Sequence, residues 1–466
     1  MTAEPASSAP PQSTREAGGP RPFNLLRIRP LRWFLKSRLY PWLFQYITIL
    51  VFSFVIYELL VGPDKAHDNF GTAMTWVLWW PLIPLLFLAL GRFWCAICPF
   101  ATLSDLVQKL VGLNRSVPRF LKSYGIWIID ACFILITWGD HVFGIVESPR
   151  NSGILLLMIT LGVVAAGAFF ERRAWCRHLC FLGGMSGNYA RTGSLELRAT
   201  PEKCDQCRVQ ACYRGSEKAP GCPMFEFPKT MDTNARCNLC AYCIKTCPND
   251  SIRLNLRVPT RELWFIRRPK FEESFLAVVI MGIVFVQNIT MLNIGKEMLS
   301  WLAAVTGTAS HFVTFTLLFI LVMLGPILGL LLAGFFTGLS NRKGVVTNFA
   351  TFGYALIPLD LAGHLAHNLF HLLAEGKAIL FTASGLFGIE SHGSPAFLDN
   401  PTIQVLQYIL VVLGIVGSSY TAWRIAGHQV GNQGSRWGSA LPVIILIAVF
   451  GFINFFLFSL PMEMRM

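Results

Sequence analysis

The stretch CNLCAYCIKTCP sets Cys237, Cys240, Cys243 and Cys247 at gaps of two, two and three residues, with Pro248 after the last. Upstream, CDQCRVQACYRGSEKAPGCP supplies Cys204, Cys207, Cys212 and Cys222 ahead of Pro223. Thiols this closely spaced suit soft metal ligation better than a disulfide framework. Structural zinc uses similar C-x-x-C pairs. Eight cysteines in two runs that each end in Cys-Pro favour iron and sulphide instead.

The second run has the C-x2-C-x2-C-x3-C-P spacing of bacterial-type ferredoxins, in which three close thiolates serve one cubane and the fourth, turned away by proline, serves another. Carried over, that crossed pattern gives one [4Fe-4S] cluster to Cys204, Cys207, Cys212 and Cys247, and the other to Cys237, Cys240, Cys243 and Cys222. The first run has wider gaps of four and nine residues, which insert a loop around its cluster. Two such clusters sit close enough for electron hopping, so this insert is expected to be an electron relay.

Four more cysteines follow apolar runs. GRFWCAICPF holds Cys95 and Cys98, and RRAWCRHLCFLGG holds Cys176 and Cys180, an internal repeat of aromatic-flanked pairs at equivalent exits. If both exits lie on one side, the four thiolates converge. Three chemistries stay open: a third iron–sulphur cluster, redox-active dithiols, or reduced thiols buried in a helix-end turn. Cys132 stands alone in an apolar segment and reads as a small core residue.

The elements that must position these thiols are membrane helices. Of 466 residues, 53% are hydrophobic and 14% charged, and the mean hydropathy is +0.51. That is more apolar surface than a soluble core buries. Runs long enough to span lipid lie near 40–61, 72–90, 124–138, 154–170, 275–292, 312–338, 345–373, 405–423 and 441–460, about nine helices. The 124–138 run is short, and kinks are expected at Pro326 and Pro358. The fold class expected is an all-α polytopic membrane protein with a small inserted α+β domain of the 2[4Fe-4S] ferredoxin type. Residues 1–22 read as a disordered tail, 23–194 as the first four helices, 195–257 as the insert, and 258–466 as the remaining helices.

The net charge of +13 gathers in short segments beside apolar runs, with no folded basic groove, which argues against nucleic acid. Arg21, Arg27, Arg29, Arg32, Lys36 and Arg38 precede the first span. Alternation then brings Lys109, Arg115, Arg119, Lys122, Arg172, Arg173, NRKG at 341–344, Arg424 and Arg436 to the same side. The expectation is a bacterial inner-membrane protein with a cytoplasmic N-terminus and insert, and no cleavable signal peptide.

In the C-terminal half, YALIPLDLAGHLAHNLFHLLAEG places Asp360, His364, His367 and His371 within about 60° of one another on one helix face. Ionisable groups in an apolar helix are costly and mark functional sites by default. His311, opening another span, is expected at similar depth. The candidates are haem b, copper or another transition metal, proton acceptance from a quinol, or a hydrogen-bonded polar cluster between helices. His67, His141 and His392 are expected to be solvated loop residues, and His428 carries little signal.

Over about its first 260 residues the sequence resembles the membrane polyferredoxins of the NapH/NosR type, on GRFWCAICPFATLSDLVQKLVG, WCRHLCFLGG and the double ferredoxin runs. The family's pairs are usually C-x3-C-P. Here the Cys95–Cys98 pair is one residue tighter, and Cys180 is followed by Phe181. The flavin-binding domain of the NosR branch is not expected. The resemblance implies a redox subunit relaying electrons between a cytoplasmic or quinol donor and a membrane or periplasmic partner protein, within a membrane complex. The alternatives are copper reduction and handling, or metalloenzyme assembly. A purely structural subunit is a third.

Overall fold

The computed structural model describes residues 22–389, 393–429 and 435–461. The expected tail, apart from residue 22, lies outside the described residues, as do Arg21 and His392. Among the described residues, eight helices are long and apolar enough to cross a membrane, or nine if the bent pair Val345–Ala355 and Ile357–Ala374 is one span. They leave large aliphatic and aromatic side chains facing outward: Leu50 and Phe452 are both 70% exposed. Such a surface is stable against hydrocarbon, not water.

The bundle is organised around the Phe271–Thr290 helix. Its apolar window is 78% buried, against 22% for Trp42–Val61. Arg119–Phe143, His311–Asn341, Val345–Phe352 and Ile357–Ala374 all pack on it. Gly353 allows the bent pair to close on this post, because a Cβ there would stand 2.4 Å from that of Ser274. Pro358 at the start of Ile357–Ala374 accompanies the 46° bend, since proline cannot continue the preceding hydrogen-bond ladder. At Pro326, by contrast, His311–Asn341 runs on as one helix.

Other boundaries also move. The short third run becomes the full Arg119–Phe143 helix, because the helix continues past its apolar stretch into polar turns holding Arg119, Lys122 and Ser123 at one end and Asp140 and His141 at the other. The second run contains a π-helical stretch, Ala73–Trp79, before Trp80–Leu90. Pro81 and Pro84 crowd the turn before them, where the helix widens. An additional helix, Asn293–Thr306, follows the central post.

Residues 195–257 are closed by an antiparallel pair, Leu195–Ala199 with Ile252–Leu256, in register Leu197 opposite Leu254. Between these strands lie short helices at Pro201–Asp205, Ala211–Arg214 and Tyr242–Thr246. Leu26, Leu35 and Tyr40 join Leu197, Ile244, Ile252 and Leu254 in one apolar cluster, so the segment before the first span lies across this lobe. Arg32 and Lys36 both reach Asp250, at 2.7 and 2.6 Å. A buried latch holds the lobe to the bundle: Glu262 accepts from the Asn234 amide, Thr233, Arg198 and Arg257. Arg257 also donates to the carbonyls of Ala190 and Gly193.

Candidate functional site

The two helix-end pairs are built alike. After Gly91, at φ +59, the chain enters the four-residue helix Trp94–Ile97, and Cys98 then caps Pro99–Val111 in an extended conformation. After Arg173, at φ 52, comes Ala174–His178, and Cys180 caps Phe181–Thr192. One thiol of each pair thus rides a short helix and the other sits at a helix N-terminus, where free N–H groups favour anionic sulphur. The backbone amides of Phe100 and Ala101 favour anionic sulphur at Cys98, and that of Gly183 does so at Cys180.

The fold brings the four thiols together. Cys180 lies within electrostatic range of Cys176, Cys98 and Cys95, and Cys98 within range of Cys176 and Cys95. Gly183 is flush with the group: a Cβ there would be 2.8 Å from the Cys176 carbonyl and 3.4 Å from Cys180. Arg92 Nη2 is 3.9 Å and Ser186 Oγ 3.7 Å from the Cys95 sulphur. Among the described residues, Arg92 Nε, Trp94 Nε1, Arg177 Nε and His178 Nε2 are buried without a hydrogen-bond partner. Of these, Arg92 is placed at the group by its contact with the Cys95 sulphur. A buried donor left unsatisfied costs about 1–3 kcal/mol. An anionic, sulphide-bearing group held by the four thiolates would supply acceptors, so the residues fit a cluster.

In the lobe, Cys212 lies within range of Cys247, Cys204 and Cys207. All four line one pocket, together with Lys203 and Lys229. Cys243 lies within range of Cys237, Cys240 and Cys222. Leu239 and Ala241 have φ of 54 and 61. These left-handed residues curl the loop so that the amides of Leu239 and Tyr242 favour anionic sulphur at Cys237 and Cys240, as in an anion-binding nest. Burial pushes the Cys237 thiol up to about 12 and that of Cys240 to about 11. These thiols deprotonate only for a cationic group that repays their desolvation.

The three thiol groups are neighbours. Cys243 is within range of Cys212, which joins the two lobe groups. Arg173, within range of both Cys176 and Cys240, joins the lobe to the helix ends. Its guanidinium, 1% exposed, grips Asp105 and donates to the Cys95 carbonyl. An apolar cluster of Ala96, Ile97, Cys240 and Tyr242 seals the same junction.

The histidine face is buried along its length: Asp360, His364, His367 and His371 are all at or below 1% exposure. Nδ1 of His364 is 3.1 Å from the Tyr189 hydroxyl, and Nδ1 of His367 is 2.8 Å from Asn288 Oδ1. Nδ1 of His371 is 3.3 Å from Glu375 Oε2. His311 is elsewhere: it is exposed, with Nε2 3.2 Å from the His141 carbonyl, and the central helix packs on both the His311 helix and the histidine helix. His141 is no solvated loop residue, since its ring bonds Thr137 and Thr290 and stacks on Phe315.

Among the described residues no three His, Cys, Asp or Glu side chains close on a single metal-ion position. A cubane does not require that, because its thiolates bind different irons. A copper site on the histidine face would require it, and finds no support there.

Two stretches, residues 72–118 and 152–198, match the 4Fe-4S binding domain family. They contain the two helix-end cysteine pairs and none of the lobe's cysteines. The chain is 26% identical over 187 residues, 34% of its length, to a protein of Escherichia coli (strain K12) named "Putative electron transport protein YccM", of which 50% is covered. It is 26% identical over 178 residues, 36% of its length, to "Uncharacterized protein MJ0749" of Methanocaldococcus jannaschii, of which 66% is covered. The chain thus spans about half of one relative and about two thirds of the other. No solved structure matches it.

Sequence reasoning passed over Arg173, Tyr189 and Glu375. Arg173 read only as a basic residue beside a span, and Tyr189 carried no motif. Glu375 stands four residues after His371, a helical interval that places it on the same face.

Proposed function

We propose that the chain is a membrane-bound iron–sulphur electron-transfer protein of the NapH/NosR type, with a ferredoxin lobe at residues 195–257 and a third cluster site at the helix ends. The observation that carries this reading is the succession of thiol groups, with Cys212 within electrostatic range of Cys243, and Cys240 and Cys176 both within range of Arg173. Matches to the 4Fe-4S binding domain at both helix-end pairs and the electron-transport name of one relative support it.

Clusters held by Cys204, Cys207, Cys212 and Cys247, by Cys237, Cys240, Cys243 and Cys222, and by Cys95, Cys98, Cys176 and Cys180 supply one-electron transfer. The chain's own residues prepare their sites. Backbone amides near Cys98, Cys180, Cys237 and Cys240 favour anionic sulphur, an influence of the kind that tunes reduction potential. Arg92 and Arg173 place positive charge beside the helix-end thiolates. The Ala96–Tyr242 cluster keeps water from the junction. The lobe faces the cytoplasm beside the basic segments and receives or delivers electrons through a soluble redox partner; the helix-end site serves a quinol or a membrane partner.

The test places the anaerobic protein in proteoliposomes that contain a lipid-soluble quinone, with photochemical reduction from the lobe side. Quinone reduction is expected, and Cys98→Ser should stop it while the lobe keeps its iron and its reduced EPR signal. Unchanged quinone reduction in that variant would remove the helix ends from the path.

A further inference from the structure

Asp360, His364, His367, His371 and Glu375 follow one another at intervals of four, three, four and four residues. They make a single stripe about 22 Å long on the Ile357–Ala374 helix and its C-cap. All five are essentially buried, with Glu375 at 0%. The His367 and His371 ring centroids are 5.2 Å apart, and His371 faces Glu375. Groups that can take up and release protons therefore stand about one turn apart through the bilayer depth.

The stripe has an unfinished end. Both carboxyl oxygens of Asp360 and Nε2 of His364 lack a hydrogen-bond partner among the described residues. The Oδ1 of Asn454, near Gly363, is also without one. Around this end stand Tyr189, bonded to His364 and within range of Asp360, and Trp80, whose ring is 5.9 Å from that of His364. Both lead back to the helix-end thiols. Tyr189 lies on the helix that Cys180 caps. Trp80 contacts Trp79, which contacts Trp94 beside Cys95.

A negative charge added at the helix-end thiols sits in a low-dielectric interior, where compensation by a proton is worth far more than in water. We propose that this stripe is a proton-conducting column, which loads one proton between Asp360 and His364 for each electron the helix-end site accepts. The proton enters at Glu375 from the face opposite the lobe, moves along His371 and His367, and leaves by the same route on reoxidation. One electron and one proton arrive together, and no other bond changes. This rests on the helix-end cluster of the proposed function.

The experiment photoreduces the anaerobic full-length protein in weakly buffered detergent with a pH-indicating dye, and records EPR and infrared difference spectra on the same sample. Expected are proton uptake accompanying reduction of the helix-end signal and a carboxyl band that vanishes in Asp360→Asn. Asp360→Asn and His364→Gln should each lower the uptake at least several-fold while iron content is unchanged. Reduction without proton uptake in the wild type overturns the column whether or not the variants fold, and so does undiminished uptake in both variants. Absence of any reducible helix-end signal overturns both the column and the cluster on which it rests.

Discussion

Nη2 of Arg173 lies 2.9 Å from Oδ2 of Asp105, with side-chain exposures of 1% and 13%. This pair occupies the seam between the lobe and the helix ends. A buried charge that loses its partner costs about 3–5 kcal/mol, more than an ion pair of this kind contributes over an apolar replacement. Asp105 keeps Arg172, at 3.2 Å, when Arg173 is removed, so Arg173→Ala should lower the denaturation midpoint in detergent by part of that cost. Arg173→Lys, which keeps the charge but not the planar fork, should cost less. Equal midpoints for wild type and Arg173→Ala would contradict this role.

Gly183 has no room for a side chain. A methyl group there meets the Cys176 carbonyl at 2.8 Å, and neither the carbonyl nor the helix-end turn yields easily. Gly183→Val should displace Cys176 from Cys180 and release about a third of the total iron, while the lobe retains its share. Iron assay on the purified variant checks this; full retention would show that the turn tolerates the shift.

The latch at Glu262 predicts an acid sensitivity. Burial opposes its charge, but Arg257 and Arg198 outweigh burial and hold the carboxyl below its ordinary value. A carboxyl lower in the folded than in the unfolded state gives stability that is complete above the unfolded value, about 4.3, and is lost as pH falls through the folded one. The denaturation midpoint should fall below about pH 5. Glu262→Gln should be less stable at neutral pH by about 3–5 kcal/mol and show a flatter acid limb. An acid limb identical to that of the wild type would assign it to other carboxyls.

Cys132 is the internal control. It is partly exposed on the Arg119–Phe143 helix, outside the helix-end turns and the lobe that hold the other thiols. Cys132→Ala should keep all the iron. Any loss would place a cluster ligand where none is expected.

Much of this architecture is legible because its signals are local. Long apolar runs mark the spans, and close cysteine spacing marks the lobe. The repeated FWCAIC and AWCRHLC exits could be noticed as a pair, but only the packed helices show Cys98 beside Cys176. Boundaries failed where a helix runs on past its apolar stretch into charged turns, as at Arg119, Lys122 and Asp140, or where proline has opposite outcomes, as at Pro326 and Pro358. Pairings across long separations left no trace: Tyr189 with His364, Arg257 with Ala190, and Arg173 between Cys176 and Cys240 depend on how helices lie together. Arg32 and Lys36 looked like residues that only orient the chain, yet both also hold Asp250.

Iron counting bears most directly on the central claim, that the helix-end thiols hold a cluster in line with two in the lobe. Protein purified without oxygen should contain about twelve iron atoms per chain, falling to about eight in a Cys98→Ser, Cys180→Ser double variant. A wild-type content of about eight that the double variant does not change would contradict it.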